Sequence, residues 1–129
     1  MVNKRIKGHI DEIHWKTINF LTNNYKNILI GDLSTKGIIC NNTSVLSAQL
    51  KEIACAYSFY TFRQRLQYKC IVKKCNYKVV DEYYTSKTCS SCSLYNNKLG
   101  SDKIFNCPSC KIIFDRDINS CRNMIFKCL

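Results

Sequence analysis

The sequence predicts an α/β fold in which a four-cysteine zinc ribbon is inserted before the last helix. Three observations carry that expectation. Two C-x-x-C pairs, Cys89 with Cys92 and Cys107 with Cys110, are separated by fourteen residues. Apolar residues recur at helical spacing over 9–25, 44–56, 57–74 and 115–129. Two short runs, 27–30 and 77–84, have the apolar and β-branched or aromatic content of strands. The chain has 129 residues, one Pro and four Gly, which suits one compact domain and excludes a linker or low-complexity segment.

Along 9–25, Ile10, Ile13 and Phe20/Leu21 mark the apolar side of the first helix, with His14 and Trp15 in surface or packing roles. Asn27–Ile30 then reads as a short buried strand, and Gly31, Asp32 and Leu33 lead into a loop. Ser44 is placed to cap a helix carrying Leu46, Leu50, Ile53 and Ala54 on one face. The helix over 57–74 has the stripe Phe59, Phe62, Leu66 and Cys70, and Asn76 is suited to end it in a left-handed conformation. Residues 77–84 form a strand. Residues 85–111 make the cysteine-rich unit, with Ile104 and Phe105 expected as the second strand of a hairpin between the knuckles. The final helix, 115–129, opens on acids and places Ile118, Cys121, Ile125 and Cys128 on its apolar face.

Each C-x-x-C sets two sulfurs on one tight knuckle, and two knuckles complete a tetrahedral thiolate shell at about 2.3 Å from Zn²⁺. Four thiolates leave no open coordination position, so the expected zinc is structural, and its binding contributes on the order of 10 kcal/mol to folding. An Fe–S cluster or a redox dithiol is the alternative use of such spacing. The other cysteines, at 40, 55, 70, 75, 121 and 128, sit singly in periodic segments and read as small buried residues. The first fifteen residues lack the apolar core of a signal peptide, which argues for a reducing, intracellular setting. No run approaches the roughly 18 apolar residues of a membrane span.

The formal charge is +11, from 20 basic and 9 acidic residues, and favours a polyanionic partner, nucleic acid first. No acid falls between Glu52 and Asp81, yet Arg63, Arg65, Lys69, Lys73, Lys74 and Lys78 all do. These six are the candidate phosphate contacts; the plainer reading is a solvated helix face.

The segments TSKTCSSC (85–92), CPSC (107–110) and DRDINSCRN (115–123) resemble the C-terminal region of the TnpB and Fanzor proteins, transposon-encoded RNA-guided DNA nucleases, with the Fanzor branch closer. Residues 12–37 resemble the helix and strand that precede that region. The resemblance implies a partial RNase H-like (RuvC) fold. Its domains are a nuclease core over 1–84, a DNA-binding zinc ribbon over 85–114 and the final nuclease helix over 115–129. It implies three acids holding Mg²⁺. Asp117 matches the acid that opens the last helix, with Asp115 as fallback. Where many members carry Glu before Asp-Leu, this chain has Gly31 before Asp32-Leu33; Glu82 matches the relocated Glu of Fanzors. Bland roles stand beside these, with Asp115 and Asp117 as helix caps and Asp81 and Glu82 as surface acids. The first Asp has no counterpart, and its strand is expected upstream of Met1. The implied function is a nucleic-acid-binding fragment of a mobile-element endonuclease, inactive alone, with DNA, a guide RNA and a missing N-terminal part or full-length relative as partners. The implied location is the nucleus or a viral factory. The alternative is a stand-alone zinc-ribbon module that binds DNA, RNA or protein.

Overall fold

The computed structural model describes residues 2–32, 57–100 and 102–129. The helix expected at 44–56 lies outside the described residues. Those described fall into two compact units, one of 2–28 and 57–78, the other of 29–32, 79–100 and 102–129.

In the first unit, helix α1 (Val2–Asn24) packs on helix α2 (Phe59–Lys73). α1 begins seven residues before the expected start, since nothing in 2–8 except Gly8 opposes a helix. The buried stripe of α1 is His14, Ile18 and Thr22, with the expected Ile10 and Leu21 half-buried, while Ile13 and Phe20 are exposed, which corrects half of the expected apolar face. The cause is Arg65 of α2. Its guanidinium donates to Asp11 Oδ1 at 2.6 Å and to His14 Nδ1 at 3.2 Å, and lies 5.6 Å from the Trp15 ring centre. His14 Nε2 then donates to the Tyr57 carbonyl at 2.8 Å, and its ring meets Phe62 edge-on at 5.1 Å. A polar cluster therefore sets which side of α1 turns inward. The stripe expected on α2 is present, with Leu66 and Cys70 buried and Phe59 and Phe62 half-buried. Lys74, not Asn76, takes the left-handed position after α2, at φ 56°. Asn76 is already committed to a strand, its N–H donating to Lys26 O at 2.7 Å and its side chain to Asn27 Oδ1 at 2.7 Å.

Strand β1 (Asn27–Gly31) pairs with strand β2 (Asn76–Val80). Asn76 N bonds Lys26 O at one end and Asp32 N bonds Val80 O at the other, so the strands run parallel. β2 stops four residues short of the expected Tyr84. Asp81 Oδ1 accepts the Tyr83 N–H at 3.0 Å, an Asx turn that leads the chain off the sheet, and Tyr84 follows at φ 63°.

The second unit is built on the knuckles. Strand β3 (Ile104–Asn106) pairs antiparallel with strand β4 (Ile113–Asp115), Phe105 opposite Phe114. The partner of Ile104 and Phe105 thus follows the second knuckle, a correction to the hairpin expected between the knuckles; the first knuckle closes on its own bridge, Thr88 to Tyr95. Phe105 is fully buried with Cys89 and Cys107. Helix α3 (Arg116–Phe126) follows β4 directly. Its expected apolar face is wrong: Ile118 and Ile125 are exposed, and the buried residue is Asn119.

Candidate metal centre and acidic cavity

The two knuckles are copies of one backbone design. Cys89 N donates to Leu94 O and Ser93 N to Cys89 O, both at 2.9 Å. Cys107 N donates to Ile112 O at 3.0 Å and Lys111 N to Cys107 O at 3.1 Å. Each turn needs a left-handed residue after its second cysteine, and Ser93 (φ 62°) and Lys111 (φ 61°) supply it. The result brings four Sγ atoms within 4.8 Å of one another. Across the knuckles, Cys89 and Cys110 sulfurs lie 3.7 Å apart, and Cys92 and Cys107 sulfurs 3.6 Å. A tetrahedron of sulfurs about 2.3 Å from a central ion has edges of about 3.8 Å, so the donor set fits a zinc-sized ion.

The thiols are electrostatically unequal. Burial pushes Cys107 up, but the N–H groups of Cys110 and Ser109 and the thiols of Cys110 and Cys92 outweigh it and bring it to about 6. For Cys110 the Ile112 N–H favours the thiolate, yet burial and hydrogen bonds with Cys107, Cys92 and Cys89 push it up to about 11. A first thiolate therefore forms easily in this cluster, which is what a metal ligand set requires. Among the other cysteines, Cys70 is buried, Cys75 and Cys128 are half-buried, and Cys121 is exposed, against the buried role expected for it; Cys40 and Cys55 lie outside the described residues.

Beside the knuckles is a cavity of about 670 Å³ whose lining includes Glu82, Thr85, Asp102, Asp115, Asp117 and Cys121. Glu82 and Asp117, matched separately in the sequence, thus face one space. Asp115 is the N-cap of α3: its Oδ1 accepts from Asp117 N at 2.9 Å and Ile118 N at 3.2 Å. That spends the fallback acid on the helix and leaves Asp117, in the first turn, to present its carboxylate. Arg116, between them, donates to Gly100 O at 3.2 Å.

Gly31 has its own part. A Cβ built there would overlap the Glu82 carboxyl and lie within 2.7 Å of its Cγ. The Glu82 side chain, from the turn after β2, fills the volume that a side chain at position 31 would take at the end of β1.

Of the six basic candidates, Arg65 is committed to Asp11 and His14 inside the first unit. Lys73, Lys74 and Lys78 are exposed, and Arg63 and Lys69 are half-buried. Residues missed in the sequence are Asn119, Asn123 and Thr85. Their signal was the i, i+4 pair of asparagines on a helix beside a T-S-K-T segment.

A parallel strand pair, twin cysteine knuckles and an acid-lined cavity at a capped helix start define a mixed α/β chain with a four-cysteine cluster that could hold a metal ion beside a carboxylate site. The profile of the Cas12f1-like, TNB domain family matches residues 59–124. A TnpB-like protein of Acanthamoeba polyphaga mimivirus is 35% identical over 123 residues, 95% of this chain and 24% of that protein. A putative transposase of Paramecium bursaria Chlorella virus 1 is 36% identical over 119 residues, 92% of this chain and 26% of that protein. The fold matches a chain of the cryo-EM structure of the Cas12f1–sgRNA–target DNA complex, with TM-score 0.61 and 21% identity, over 98% of this chain and 34% of that one. The chain belongs to the TnpB family and carries its Cas12f1-like TNB domain. It spans about a quarter of the length of these curated viral relatives.

Proposed function

We propose that this chain is a nucleic-acid-binding portion of a transposon-associated, RNA-guided DNA endonuclease, with the Fanzor arrangement of its acids. In this reading the fold is part of an RNase H-like (RuvC) nuclease, and Cys89, Cys92, Cys107 and Cys110 hold a structural Zn²⁺. Glu82 and Asp117 are two acids of a Mg²⁺ centre whose third acid these 129 residues do not supply.

One observation carries the acid assignment: Glu82 and Asp117 share a cavity, with the Glu82 carboxyl filling the place beside Gly31. Neither carboxylate has a hydrogen-bond or ion-pair partner among the described residues, so both are available to a cation. Bound Mg²⁺ supplies charge neutralisation and activation of water for phosphodiester hydrolysis. Asp117 is held in the first turn of α3 by the Asp115 cap. With two acids, cleavage by the chain alone is negligible.

The net charge of +11 supports DNA as partner, with a guide RNA as in the complex of the structural relative. Lys69, Lys73, Lys74 and Lys78, together with Arg63, are the proposed phosphate contacts. Among the described residues no helix is long and apolar enough to cross a membrane. The viral relatives support action in a nucleus or viral factory.

Fluorescence anisotropy with a DNA oligonucleotide over a salt series tests the binding reading. We expect log K to fall linearly with log salt, with the slope reduced by about 1 in each of Lys69→Ala and Lys73→Ala. Absent or salt-independent binding refutes it and favours a protein-interaction module. Mg²⁺-dependent cleavage by the chain alone, abolished by Asp117→Ala, refutes the inactivity.

A further inference from the structure

Two asparagines one turn apart on α3 spend their amides on the segment between Glu82 and the first knuckle. Asn119 is fully buried. Its Oδ1 accepts the Ser90 N–H at 2.9 Å, and its Nδ2 donates to Thr88 O at 2.8 Å. Asn123 Nδ2 donates to Thr85 O at 2.8 Å and to Thr88 O at 2.7 Å. The buried Thr85 completes the run, its hydroxyl donating to Glu82 O at 2.7 Å and its N–H to the same oxygen at 3.2 Å. Cys89 lies between the two residues that Asn119 grips, and Asp117 lies two residues before Asn119 on the same helix.

We propose that Asn119 and Asn123 are positioning residues for the acid cavity. They form an amide ladder that fixes Asp117 relative to Glu82 and anchors both to the first cysteine knuckle. This rests on the reading of Glu82 and Asp117 as a metal-holding pair.

The geometry gives such a device a task, which it shares with Lys127, whose Nζ donates to Asp81 O at 3.1 Å and to Tyr83 O at 2.6 Å. β2 ends at Val80, so Glu82 stands beyond the sheet and no strand ladder holds it. Asp117 sits on a helix that presents Ile118 and Ile125 outward, so apolar packing on that side does not hold it either. A metal-binding pair works only if its atoms are kept within about 0.5 Å of the required places. Here the fixing groups are hydrogen bonds from one helix to the backbone of the acid-bearing segment. For packing alone an apolar residue suits the most buried position of an amphipathic helix better, because a buried amide is costly unless it is satisfied. Asn119 uses both its acceptor and its donor, and both partners flank a metal ligand. Zinc-dependent order in the knuckle thereby reaches the acids through three residues.

The test is manganese binding, with Mn²⁺ as the probe for the Mg²⁺ site, followed by electron paramagnetic resonance on the zinc-loaded chain. Zinc content and thermal melting are measured on every variant. We expect Asn119→Ala, Asn123→Ala and Thr85→Val each to weaken Mn²⁺ binding by about 10-fold, the scale seen when outer-shell partners of a metal site are removed. Zinc is expected to stay at one per chain. A merely structural ladder would lower the melting temperature and leave the Mn²⁺ affinity of the folded, zinc-loaded fraction unchanged. Should Asn119→Ala shed zinc, Asn123→Ala and Thr85→Val, which leave both bonds of Asn119 in place, decide the matter. Unchanged Mn²⁺ affinity in the zinc-loaded variants overturns the ladder; if Asp117→Ala still abolishes binding, the acid-pair reading survives. Wild-type Mn²⁺ binding that is absent or indifferent to Asp117→Ala overturns both.

Discussion

Replacing Gly31 by Ala separates what Gly31 does for the fold from what it does for the cavity. The new methyl would overlap the Glu82 carboxyl, and the atoms in its way are the far end of a flexible side chain. Glu82 can therefore swing aside, at a rotamer cost of about 0.5–1.5 kcal/mol. Against this stands a gain of about 0.4–1 kcal/mol from the stiffer unfolded chain. The net change in stability is within about 1 kcal/mol, a few degrees in Tm for a chain of this size. The change at the cavity is larger, since the displaced carboxylate is one of two proposed ligands. A loss of about 10–100-fold in Mn²⁺ affinity is typical when only an outer-shell group is changed, so about 10-fold is the floor here. Calorimetric melting with manganese titration measures both effects on one sample. The double variant Gly31→Glu with Glu82→Ala moves the carboxylate from one strand end to the other and is expected to recover most of the affinity. Wild-type Mn²⁺ affinity in Gly31→Ala would refute the reasoning, as would a Tm lowered by ten degrees or more.

Ser93→Gly and Lys111→Gly each relieve a left-handed residue at a knuckle, so each is expected to stabilise the metal-free chain by about 0.5–1 kcal/mol in urea titrations; destabilisation by either would show that the side chain matters more than its φ. Among the described residues Ser90 Oγ is buried without a hydrogen-bond partner, and Ser90→Ala is expected to leave stability unchanged or raise it by up to about 1 kcal/mol, read from the same titrations. In the metal-free chain, ultraviolet thiolate absorbance should show a first step near pH 6 that Cys107→Ser removes. The sign follows from the depressed pKa: the Cys107 contribution to stability is complete above the ordinary thiol value of 9.0 and is lost as pH falls through about 6. Cys110, raised to about 11, contributes below 9.0 and loses its contribution as pH rises through about 11.

The knuckles were legible because their chemistry is local. A C-x-x-C spacing places two sulfurs on one turn whatever the rest of the chain does, and the repeated bonds at Cys89 and Cys107 show that turn being made twice. Strand β1 and the stripe of α2 were legible for a similar reason, since short apolar runs and period-four spacing express burial directly. The faces of α1 and α3 were not. Hydropathy periodicity points to Ile13 and Phe20, yet the inward residues are His14, Ile18 and Thr22, because Arg65 requires Asp11 and His14 across the helix pair. On α3 the same logic points to Ile118 and Ile125 and passes over Asn119.

Both misread helices bury a polar side chain where periodicity asks for an apolar one, and His14 and Asn119 are each satisfied by a segment remote in sequence, whereas Thr22 bonds Ile18 O one turn back. His14 reaches Tyr57, 43 positions away, and Asn119 reaches Thr88, 31 positions away. A hydrogen-bond partner at that distance cannot be inferred from a window of eleven to eighteen residues, about the span on which periodicity is read. The same holds for the cavity. Glu82 and Asp117 are 35 positions apart, and Gly31 is 51 from Glu82, yet one space and one collision bring all three into a single account. Composition alone made each a surface acid or a loop glycine. Their meaning comes from placement: Gly31 leaves room, Glu82 fills it, and Asp115 takes the helix cap so that Asp117 does not have to. Substituting Asp115 therefore acts on the Asp117 carboxylate through the backbone, by removing the acceptor of the Asp117 N–H. Loss of the cap weakens the first turn by about 1 kcal/mol, and the acid that this turn carries loses its fixed place in the cavity.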